Sequence, residues 1–315
     1  MAHDVRVGDA GWFVVVNPAS GGGAARRRWP ELARDLARRG VAFRAAETAH
    51  PGHAVTLARA AIEAGARRLL AVGGDGTLHE LVNGLATQQC VPTPEVLIAC
   101  APQGSGNDWA RTFSMPRDPA TLADAMAAGR DRRADLGLAI CAAPDGSERR
   151  AFFHNAAGAG LDAAVVRATP ARGPRAVAYP LALLGALARF RAPHFDIDAG
   201  GRRREARCLA VIAAIGPDCG GGMRLAPDAK VDDGVFELVA IADPGLMRAL
   251  RLAAGLWSGR AAADAAFRHD RCTDARIAAR PQAEIEADGQ LIGRTPLTVR
   301  ILAGALRALD CRTTG

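Results

Sequence analysis

The stretch Leu70-Ala71-Val72-Gly73-Gly74-Asp75-Gly76-Thr77-Leu78-His79-Glu80 places three glycines and one acid between an apolar run and a helical pattern. Thr77 and Glu80 have the spacing of a capping box, which predicts that the helix begins at Thr77. Glycines permit positive φ and let backbone N–H groups approach a ligand, and a helix N-terminus favours an anion. The carboxylate of Asp75 would repel phosphate unless a divalent cation or a reacting hydroxyl lay between them. The stretch therefore predicts nucleotide phosphates with Mg²⁺, and its alternative is a tight turn in which Asp75 is a local cap.

Two further glycine-rich loops follow predicted strands. Asn17-Pro18-Ala19-Ser20-Gly21-Gly22-Gly23 comes after the apolar run 12–16, and Gly104-Ser105-Gly106-Asn107-Asp108-Trp109-Ala110-Arg111 comes after 96–101. For the later loop, an ordinary turn with Asn107 or Asp108 as helix N-cap is the alternative. Ligands of parallel sheets bind at the carboxyl ends of strands. We therefore expect the three loops to converge on one crevice.

The first third of the chain alternates predicted strands (12–16, 41–46, 69–72, 96–101) with predicted helices (24–39, 53–64, 77–85). This alternation predicts a parallel sheet covered by helices on both faces. After about Asp131 extended runs dominate, and the helical patterns are at 174–191 and 246–257. The predicted strands there are 134–141, 152–156, 207–215, 235–242, 276–279, 284–287 and 297–301. We therefore expect a second, mostly antiparallel β domain, with the boundary near 126–134.

Composition excludes several classes of protein. The formal net charge is +7, yet Lys230 is the only lysine, so neither a Walker loop nor a protein-kinase strand lysine is present. Aromatic residues make up 4% of the chain, without a nucleic-acid-binding pattern. The seven cysteines show no CxxC spacing, and no apolar run approaches the ~20 residues of a membrane span. The first residues also lack a signal-peptide pattern, so we expect a cytoplasmic protein.

The motifs NPASGGG, GGDGTLHELVNGL and PQGSGNDWAR, in this order and spacing, resemble the diacylglycerol kinase catalytic superfamily. The resemblance is to the soluble bacterial lipid kinases of the diacylglycerol kinase and YegS-like type. Residues 153–162 resemble the F-x-N-x-x-x-x-G-x-D motif of that family, and residues 220–234 resemble its GGG…P-x-A…DG segment. NAD kinases and phosphofructokinases carry loops similar to GGDGT, so the later motifs are what favour the lipid branch.

The resemblance implies an α/β plus β fold. A nucleotide-binding domain like that of phosphofructokinase and NAD kinase would span 1–131, and residues 302–315 would return to it. A β-sandwich domain for the lipid substrate would span 132–301. The implied nucleotide contacts are Asn17, Pro18, Ala19, Ser20, Gly21, Thr48, Gly73, Gly74, Asp75, Gly76, Thr77, Leu78, His79 and Ser105. ATP and Mg²⁺ are the implied cofactors, with Asp75 organising Mg²⁺–nucleotide or contacting the substrate hydroxyl.

The family also implies a structural Mg²⁺ held by the Asp233 side chain and the backbone carbonyls of Lys230 and Val235. One carboxylate with carbonyls suits a hard cation, and the alternative for 232–234 is a simple hairpin turn.

The chain departs from the family at the expected catalytic base. The lipid kinases usually carry Asp-Gly-Glu, whereas Asp288-Gly289 is followed here by Gln290. An amide has no useful basicity. The sequence leaves three possibilities: Asp288 or Asp75 accepts the proton, the enzyme is slow, or catalysis is lost.

Four further patterns each have a simple interpretation. His79 is interpreted as a nucleotide-facing or solvated residue rather than a catalytic one. The arginine runs 202–204 and 26–28 are interpreted as solvated segments, with membrane contact as the alternative for 202–204. The apolar stretch 176–190 is interpreted as a core helix, and the alternative is a lining of an acyl pocket.

Together with these patterns, the resemblance implies an ATP-dependent, Mg²⁺-requiring kinase that phosphorylates a lipid hydroxyl, with diacylglycerol, monoacylglycerol, phosphatidylglycerol and sphingoid bases as candidate acceptors. Its partner would be a lipid at the membrane surface, visited transiently, with no nucleic acid and no transmembrane segment. A homodimer is one assembly that the sequence allows. The alternatives are an NAD-kinase-like enzyme with a soluble substrate and a nucleotide-binding regulator that has lost catalysis.

Overall fold

The computed structural model describes residues 11–143, 145–169 and 175–312, and for 175–177 the backbone alone. Residues 1–10, on which the signal-peptide expectation depends, and residues 313–315 of the expected return segment lie outside these ranges. The chain forms two compact units: unit 1 comprises the residues up to Ala134 and from Gly304 onward, and unit 2 comprises Asp135–Ala303. Within the described ranges, every helix is too short or too polar to cross a membrane.

Unit 1 contains a parallel sheet built by β1 (Trp12–Val16), β2 (Phe43–Glu47), β3 (Arg68–Gly73) and β4 (Leu97–Pro102). The order is β2-β1-β3-β4, and the end of β14 (Gln290–Leu309) pairs in parallel with β4. The helices are α1 (Ser20–Arg38), α2 (His53–Glu63), α3 (Asp75–Thr87), α4 (Asp108–Thr112) and α5 (Pro119–Ala128). Residues 14–16 are fully buried, as in a sheet covered on both faces. The predicted α/β architecture is confirmed.

Unit 2 consists mainly of antiparallel strands. They are the end of β5 (Asp131–Ala142), then β6 (Glu148–Phe153), β7 (Ala156–Gly160), β8 (His194–Ala199), β9 (Arg202–Ala214), β10 (Phe236–Ala242), β11 (Phe267–Cys272), β12 (Asp274–Arg280), β13 (Glu284–Ala287) and the first part of β14. The helices are α6 (Leu161–Ala168), α7 (Arg175–Arg189) and α8 (Leu246–Gly255).

Two long strands join the layers of unit 2. The first half of β9 pairs with β8, and its second half pairs with β7 and β10. Similarly, β14 pairs first with β13 and then with β12. A strand that changes partners along its length lets one chain segment belong to two layers. The predicted β-sandwich is confirmed, and the stacked rings of Phe153 and Phe236 lie in its core, with centroids 5.6 Å apart.

The structure corrects three expectations about local elements. Residues 194–199 and 267–272 are strands that the sequence patterns did not predict. The run 202–204 is not a solvated turn, because it begins β9 and the turn is Gly200-Gly201. There, Arg203 pairs with Asp196 and Arg204 pairs with Asp270, so cross-strand carboxylates neutralise two of the three charges.

Candidate functional site

The three glycine-rich loops of unit 1 lie at the carboxyl ends of β1, β3 and β4. We call them loop 1 (17–23), loop 2 (73–77) and loop 3 (103–107). Loop 1 overlaps the bounds of α1, where Gly21–Gly23 have non-helical backbone, and loop 2 includes the first residues of α3. The backbone N–H of Asn17 donates to Val72 O at 2.9 Å, and that of Gln103 donates to Gly73 O at 2.7 Å. These two bonds join loops 1 and 3 to β3 and loop 2. The structure thus brings together the loops that the sequence predicted to converge.

Glycine at these positions is required by backbone contact between loops. A Cβ built on Gly74 would lie 2.9 Å from Gly104 Cα, and a Cβ on Gly104 would lie 2.6 Å from Gly74 Cα. Gly21, with φ of 60°, has no room for a Cβ beside the carbonyl of Gln103. An L side chain would therefore force the loops apart. The glycines do allow a close approach of backbone, as the sequence predicted. In these contacts, however, the approaching backbone belongs to a neighbouring loop.

Side chains of loops 1 and 2 fix each other. Asn17 Nδ2 donates to Thr77 Oγ1 at 3.0 Å, and Asn17 Oδ1 accepts from the backbone of Ala19 at 3.1 Å. Thr77 is buried, and its side chain leaves no space for a Cβ on Gly73. Asn17 therefore orders loop 1 while holding it against the first turn of α3.

The capping-box prediction for Thr77 and Glu80 is wrong. Helix α3 begins at Asp75 with Gly74 at the N-cap, and no side chain caps it. The carboxylate of Glu80 instead accepts from the backbone N–H groups of Gly52 and Ala54, at 2.8 and 3.1 Å. These donors belong to the N-terminus of α2, where a negative charge is favourable. The sequence spacing was correct for a cap, but Glu80 satisfies a neighbouring helix.

Asp75 joins loop 2 to loop 3. Its Oδ2 accepts from the backbone N–H of Asn107 at 2.6 Å, and a Cβ on Gly106 would lie 2.5 Å from the same oxygen. Asn107 has a left-handed backbone, with φ of 53°. It occupies the N-cap position of α4 but makes no side-chain cap, because its amide bonds to the backbone of Gly104. Asp75 itself is half-buried, at the first position of α3.

The remaining predicted nucleotide contacts differ in exposure. Those that are exposed or half-buried can face a ligand: Asn17, Pro18, Ala19, Ser20, Gly21, Thr48, Gly74, Gly76 and Ser105. Thr48 lies beside the end of β1, because its N–H donates to Val16 O at 2.8 Å. Leu78 and His79 are buried, so the expectation of a solvated His79 is wrong. Its Nε2 is 3.3 Å from Asn83 Nδ2, one turn later in α3.

Arginines of α1 also approach this end of the sheet. Arg27 donates to the carbonyl of Gly22 in loop 1 at 3.3 Å. Arg28 lines a small pocket together with Trp29, Gln103 and Arg117. The run 26–28 is exposed, as predicted, and it adds positive charge beside loops 1 and 3.

In unit 2, the carboxylate of Asp288 is buried. Asp288 stands with Gly289 in the β13–β14 turn, where both residues have positive φ. Its oxygens accept from the backbone N–H groups of His154, Asn155 and Ala156, at 3.0, 3.0 and 3.2 Å. The side chain is 1% exposed, so it is poorly placed to take a proton from a bound hydroxyl. Gln290 begins β14 two residues later and is exposed.

Two further buried acids of unit 2 were not predicted as functional. Burial raises the pKa of Asp162 to about 7, although backbone N–H groups at the start of α6 act in the opposite direction. Burial, together with the nearby charge of Asp162, raises the pKa of Glu286 well above its usual value. Glu286 accepts from the N–H of Gly289 at 2.6 Å. Gly158 packs directly on the carboxyl of Asp162, leaving no space for a Cβ. The acid at the end of F-x-N-x-x-x-x-G-x-D was visible in the sequence, but its burial was not.

The predicted metal position lies in a turn held by another acid. Asp135, 1% exposed, accepts from the N–H of Gly234 at 2.8 Å, and its own N–H donates to Val231 O at 2.6 Å. The carboxylate of Asp233 pairs with Arg271 and accepts from Val235 N at 3.4 Å. Within the described ranges, no three His, Cys, Asp or Glu side chains form a metal cluster. A cation bound by Asp233 and the carbonyls of Lys230 and Val235 would have to replace the Arg271 guanidinium.

Comparisons with known proteins agree with the fold and the motifs. Residues 11–139 match the diacylglycerol kinase catalytic domain, and residues 155–310 match the YegS C-terminal NAD kinase beta sandwich-like domain. The diacylglycerol kinase of Bacillus subtilis is 25% identical over 287 residues, covering 90% of each chain. A protein of Chromohalobacter salexigens named "Probable lipid kinase YegS-like" is 34% identical over 199 residues, covering 60% of this chain and 58% of its own.

Solved structures share the architecture at low sequence identity. A diacylglycerol kinase from Bacillus anthracis superposes with a TM-score of 0.72 at 19% identity, covering 96% of this chain and 97% of that one. Yeast NADH kinase superposes with a TM-score of 0.51 at 11% identity, covering 98% and 85%. The two matched domains, found in the order that the motifs predicted, show that the chain belongs to the diacylglycerol kinase catalytic-domain superfamily, a family of lipid kinases.

Proposed function

We propose that this protein transfers the γ-phosphate of ATP to a hydroxyl of a lipid, diacylglycerol or a related lipid. The observation that carries the proposal is the joining of three glycine-rich loops at one sheet edge, with Asp75 between loops 2 and 3. Residues 1–131, with 302–315, would bind the nucleotide, and residues 132–301 would bind the lipid. Membership of a lipid kinase family supports the acceptor class.

The chain's own groups suit phosphoryl transfer, which depends mainly on positioning and charge neutralisation. The N-terminus of α3 offers backbone N–H groups and a partial positive charge to phosphate oxygens. Loop 1, ordered by Asn17, and Ser105 on loop 3 would enclose the phosphates from both sides. Arg27 and Arg28 lie close enough to loop 1 to raise the local positive potential.

We propose that Asp75 is the carboxylate that lies beside the reacting groups. Asp288 is enclosed by three backbone N–H groups, and Gln290 cannot accept a proton at neutral pH. A loose transition state requires little early deprotonation of the acceptor hydroxyl, so one half-buried carboxylate suffices. Mg²⁺, when bound with the nucleotide, would neutralise phosphate charge beside Asp75.

A second Mg²⁺ is proposed at Asp233, with carbonyl oxygens of Lys230 and Val235. The tight turn offers oxygen ligands of the kind that Mg²⁺ prefers, but Arg271 competes for the carboxylate. We expect millimolar Mg²⁺ to raise the unfolding temperature of the parent protein and not that of Asp233→Ala. The control is Asp232→Ala, which should keep the response. If Mg²⁺ raises the unfolding temperature of the parent and of Asp233→Ala equally, the proposed site is contradicted.

The deciding experiment offers radiolabelled ATP and a panel of acceptors to the purified protein. The panel contains diacylglycerol, monoacylglycerol, phosphatidylglycerol and a sphingoid base, with NAD as the soluble acceptor. Mg²⁺-dependent labelling of a lipid supports the proposal. Labelling of NAD alone would favour the NAD-kinase-like alternative. ATP binding without transfer to any acceptor would favour a regulator that has lost catalysis.

A further inference from the structure

Exposed large apolar side chains are concentrated in one part of unit 2. Among the described residues, six such side chains are exposed, and five of them lie on α7, α8 or the turn after α8. These five are Leu181 (62% exposed), Leu184 (45%), Leu246 (47%), Met247 (67%) and Trp257 (39%). We call this group the α7–α8 surface. The sixth, Leu302, lies apart on β14 and is 37% exposed.

Folding of unit 2 does not require the α7–α8 surface. The two helices contact each other, and their inner faces are already buried against the strands, through Leu183 and Leu187 on α7 and Ala249 and Ala253 on α8. Leu181 and Leu184 on α7, and Leu246 and Met247 in the first turn of α8, nevertheless stay exposed. Large apolar side chains that stay exposed on two helices in mutual contact point to an interaction site.

The charge around this surface is positive. The sequences of α7 and α8 contain no Asp or Glu, and their exposed arginines include Arg189, Arg248 and Arg251. Arg224 and Arg260, also exposed, lie in neighbouring segments. Nearby acids balance part of this charge: Asp264 pairs with Arg248 at 2.7 Å, Asp218 pairs with Arg224 at 3.7 Å, and Asp243 lies just before α8 and 3.8 Å from Arg207.

Hydrogen bonds hold Trp257 and the turn that carries it. Its indole Nε1 donates to the carbonyl of Gly221 at 3.2 Å, and the N–H of Arg224 donates to Leu256 O at 3.0 Å. These bonds fix the turn after α8 to the loop that carries Gly220–Gly222. An oriented, half-exposed indole beside arginines is typical of the boundary between water and lipid.

We propose that the α7–α8 surface docks on a bilayer containing anionic phospholipids. The apolar side chains would enter the boundary between headgroups and acyl chains, while arginine stems lie along them and the guanidinium groups bind lipid phosphates. The inference rests on the proposed function in one respect, since a lipid acceptor would reside in the same bilayer. A second copy of this chain suits the surface less well, because it would place arginines opposite arginines.

The apolar part of the proposal is tested by sedimentation with large vesicles of phosphatidylcholine and phosphatidylglycerol, without nucleotide. The triple variant Leu181→Ser/Leu184→Ser/Met247→Ser should lower the partition coefficient at least ~10-fold, because it removes the inserted side chains. The matched control Leu302→Ser should bind like the parent. Circular dichroism checks the fold, and if the triple variant is unfolded, Met247→Ser alone should weaken binding about threefold.

The electrostatic part of the proposal is tested with the variant Arg251→Gln. This change should weaken binding to phosphatidylglycerol vesicles about fivefold and leave binding to pure phosphatidylcholine unchanged. The control Arg268→Gln, on β11, should change neither. Two results would overturn the proposal: equal binding of the triple variant and Leu302→Ser, or binding that does not depend on phosphatidylglycerol. Conversion of a parent dimer to monomer by the triple variant, without loss of vesicle binding, would assign the surface to a second copy.

Failure of this inference differs from failure of the kinase proposal, because vesicle binding needs no nucleotide. If the protein phosphorylates no lipid but binds anionic vesicles through the α7–α8 surface, only the kinase proposal is contradicted. If it phosphorylates lipid while all variants bind vesicles equally, only the docking proposal is contradicted.

Discussion

The two units each place an aspartate beside a glycine in a tight turn after a strand, yet the two acids have different environments. Asp75, after β3, is half-buried and accepts from Asn107 of a second loop. Asp288, after β13, is 1% exposed in its side chain and accepts from three consecutive backbone N–H groups. In unit 1 the turn lies at the open end of a parallel sheet, and in unit 2 it closes a hairpin.

One sequence pattern thus occurs in two environments, and the proposed function assigns the reaction to one and stability to the other. A carboxylate that receives three backbone hydrogen bonds is strongly stabilised in its charged form and cannot move without leaving three buried donors unpaired. A half-buried carboxylate at a helix N-terminus keeps access to ligands near the carboxyl end of the sheet. We therefore expect changes at Asp75 to affect turnover and changes at Asp288 to affect stability.

The largest effect is expected for Asp75→Asn. The amide oxygen can still accept from Asn107, so the loops should keep their arrangement and the unfolding temperature should change little. Turnover should fall at least ~100-fold, because the charge beside the reacting groups is lost. Lipid phosphorylation is measured alongside the exposed control Asp118→Asn, which should retain activity. A loss of only a few-fold would make Asp75 a structural turn residue and erase the contrast with Asp288.

Asp288→Ala should reverse this pattern. Removing the carboxylate leaves the N–H groups of His154, Asn155 and Ala156 without their acceptor, at a cost of about 2–3 kcal/mol in the free energy of unfolding. Asp288→Asn keeps one acceptor oxygen and should lose less. Urea unfolding monitored by circular dichroism gives both values, with the exposed Asp274→Ala as control. If Asp288→Ala is fully stable but has lost turnover, Asp288 takes part in the reaction.

Asp162 provides a pH-dependent test within unit 2. Its folded pKa of about 7 lies above the ~3.9 of an unfolded aspartate, so the folded state binds the proton more tightly. The stability that this group confers is complete below about pH 4 and is lost as pH rises through about 7. Relative to Asp162→Asn, the parent should therefore lose about 1–2 kcal/mol of unfolding free energy between pH 5.5 and 7.5.

The groups that share this region are Glu286, Asp288 and His154, so the comparison with Asp162→Asn is made at each pH. Asp196 is the control for the direction of the pH dependence. Its hydrogen bonds to Arg203 lower its pKa, so the stability that it contributes is lost as pH falls. A parent and an Asp162→Asn variant with parallel stability profiles would mean that Asp162 does not titrate in this range.

The smallest effect is expected for Gln290→Glu. If Asp75 is the only acid that the reaction needs, activity should stay within about threefold of the parent, and ATP binding should be unchanged. A rise of ~100-fold or more would show that a base is missing at this position, since a positioned general base contributes about that much. That outcome would shift part of the chemistry from unit 1 to the exposed end of the β13–β14 turn.

Several elements were predictable from the sequence because their determinants are local. Strands β1–β4 and helices α1–α3 of unit 1, and the two long helices of unit 2, were predicted within a few residues, whereas α5 was not predicted. Strand β8 carries the alternation Phe195, Ile197, Ala199 on its buried face, but its intervening acids obscured the pattern. Strand β11 ends the sheet order and is mostly charged, as edge strands often are, so composition argued against it.

By itself, the sequence determined the order of the glycine loops, the two domain types and the family, because these depend on short motifs and residue periodicity. Only the tertiary structure decided which acids are buried and which polar groups they meet. Glu80 binds the N-terminus of α2, 26 and 28 positions away, and Asp288 binds backbone more than 130 positions away. Such partners are set by how strands and helices pack, and burial, which fixes the pKa of Asp162, is a property of the packed chain and not of its neighbours in sequence.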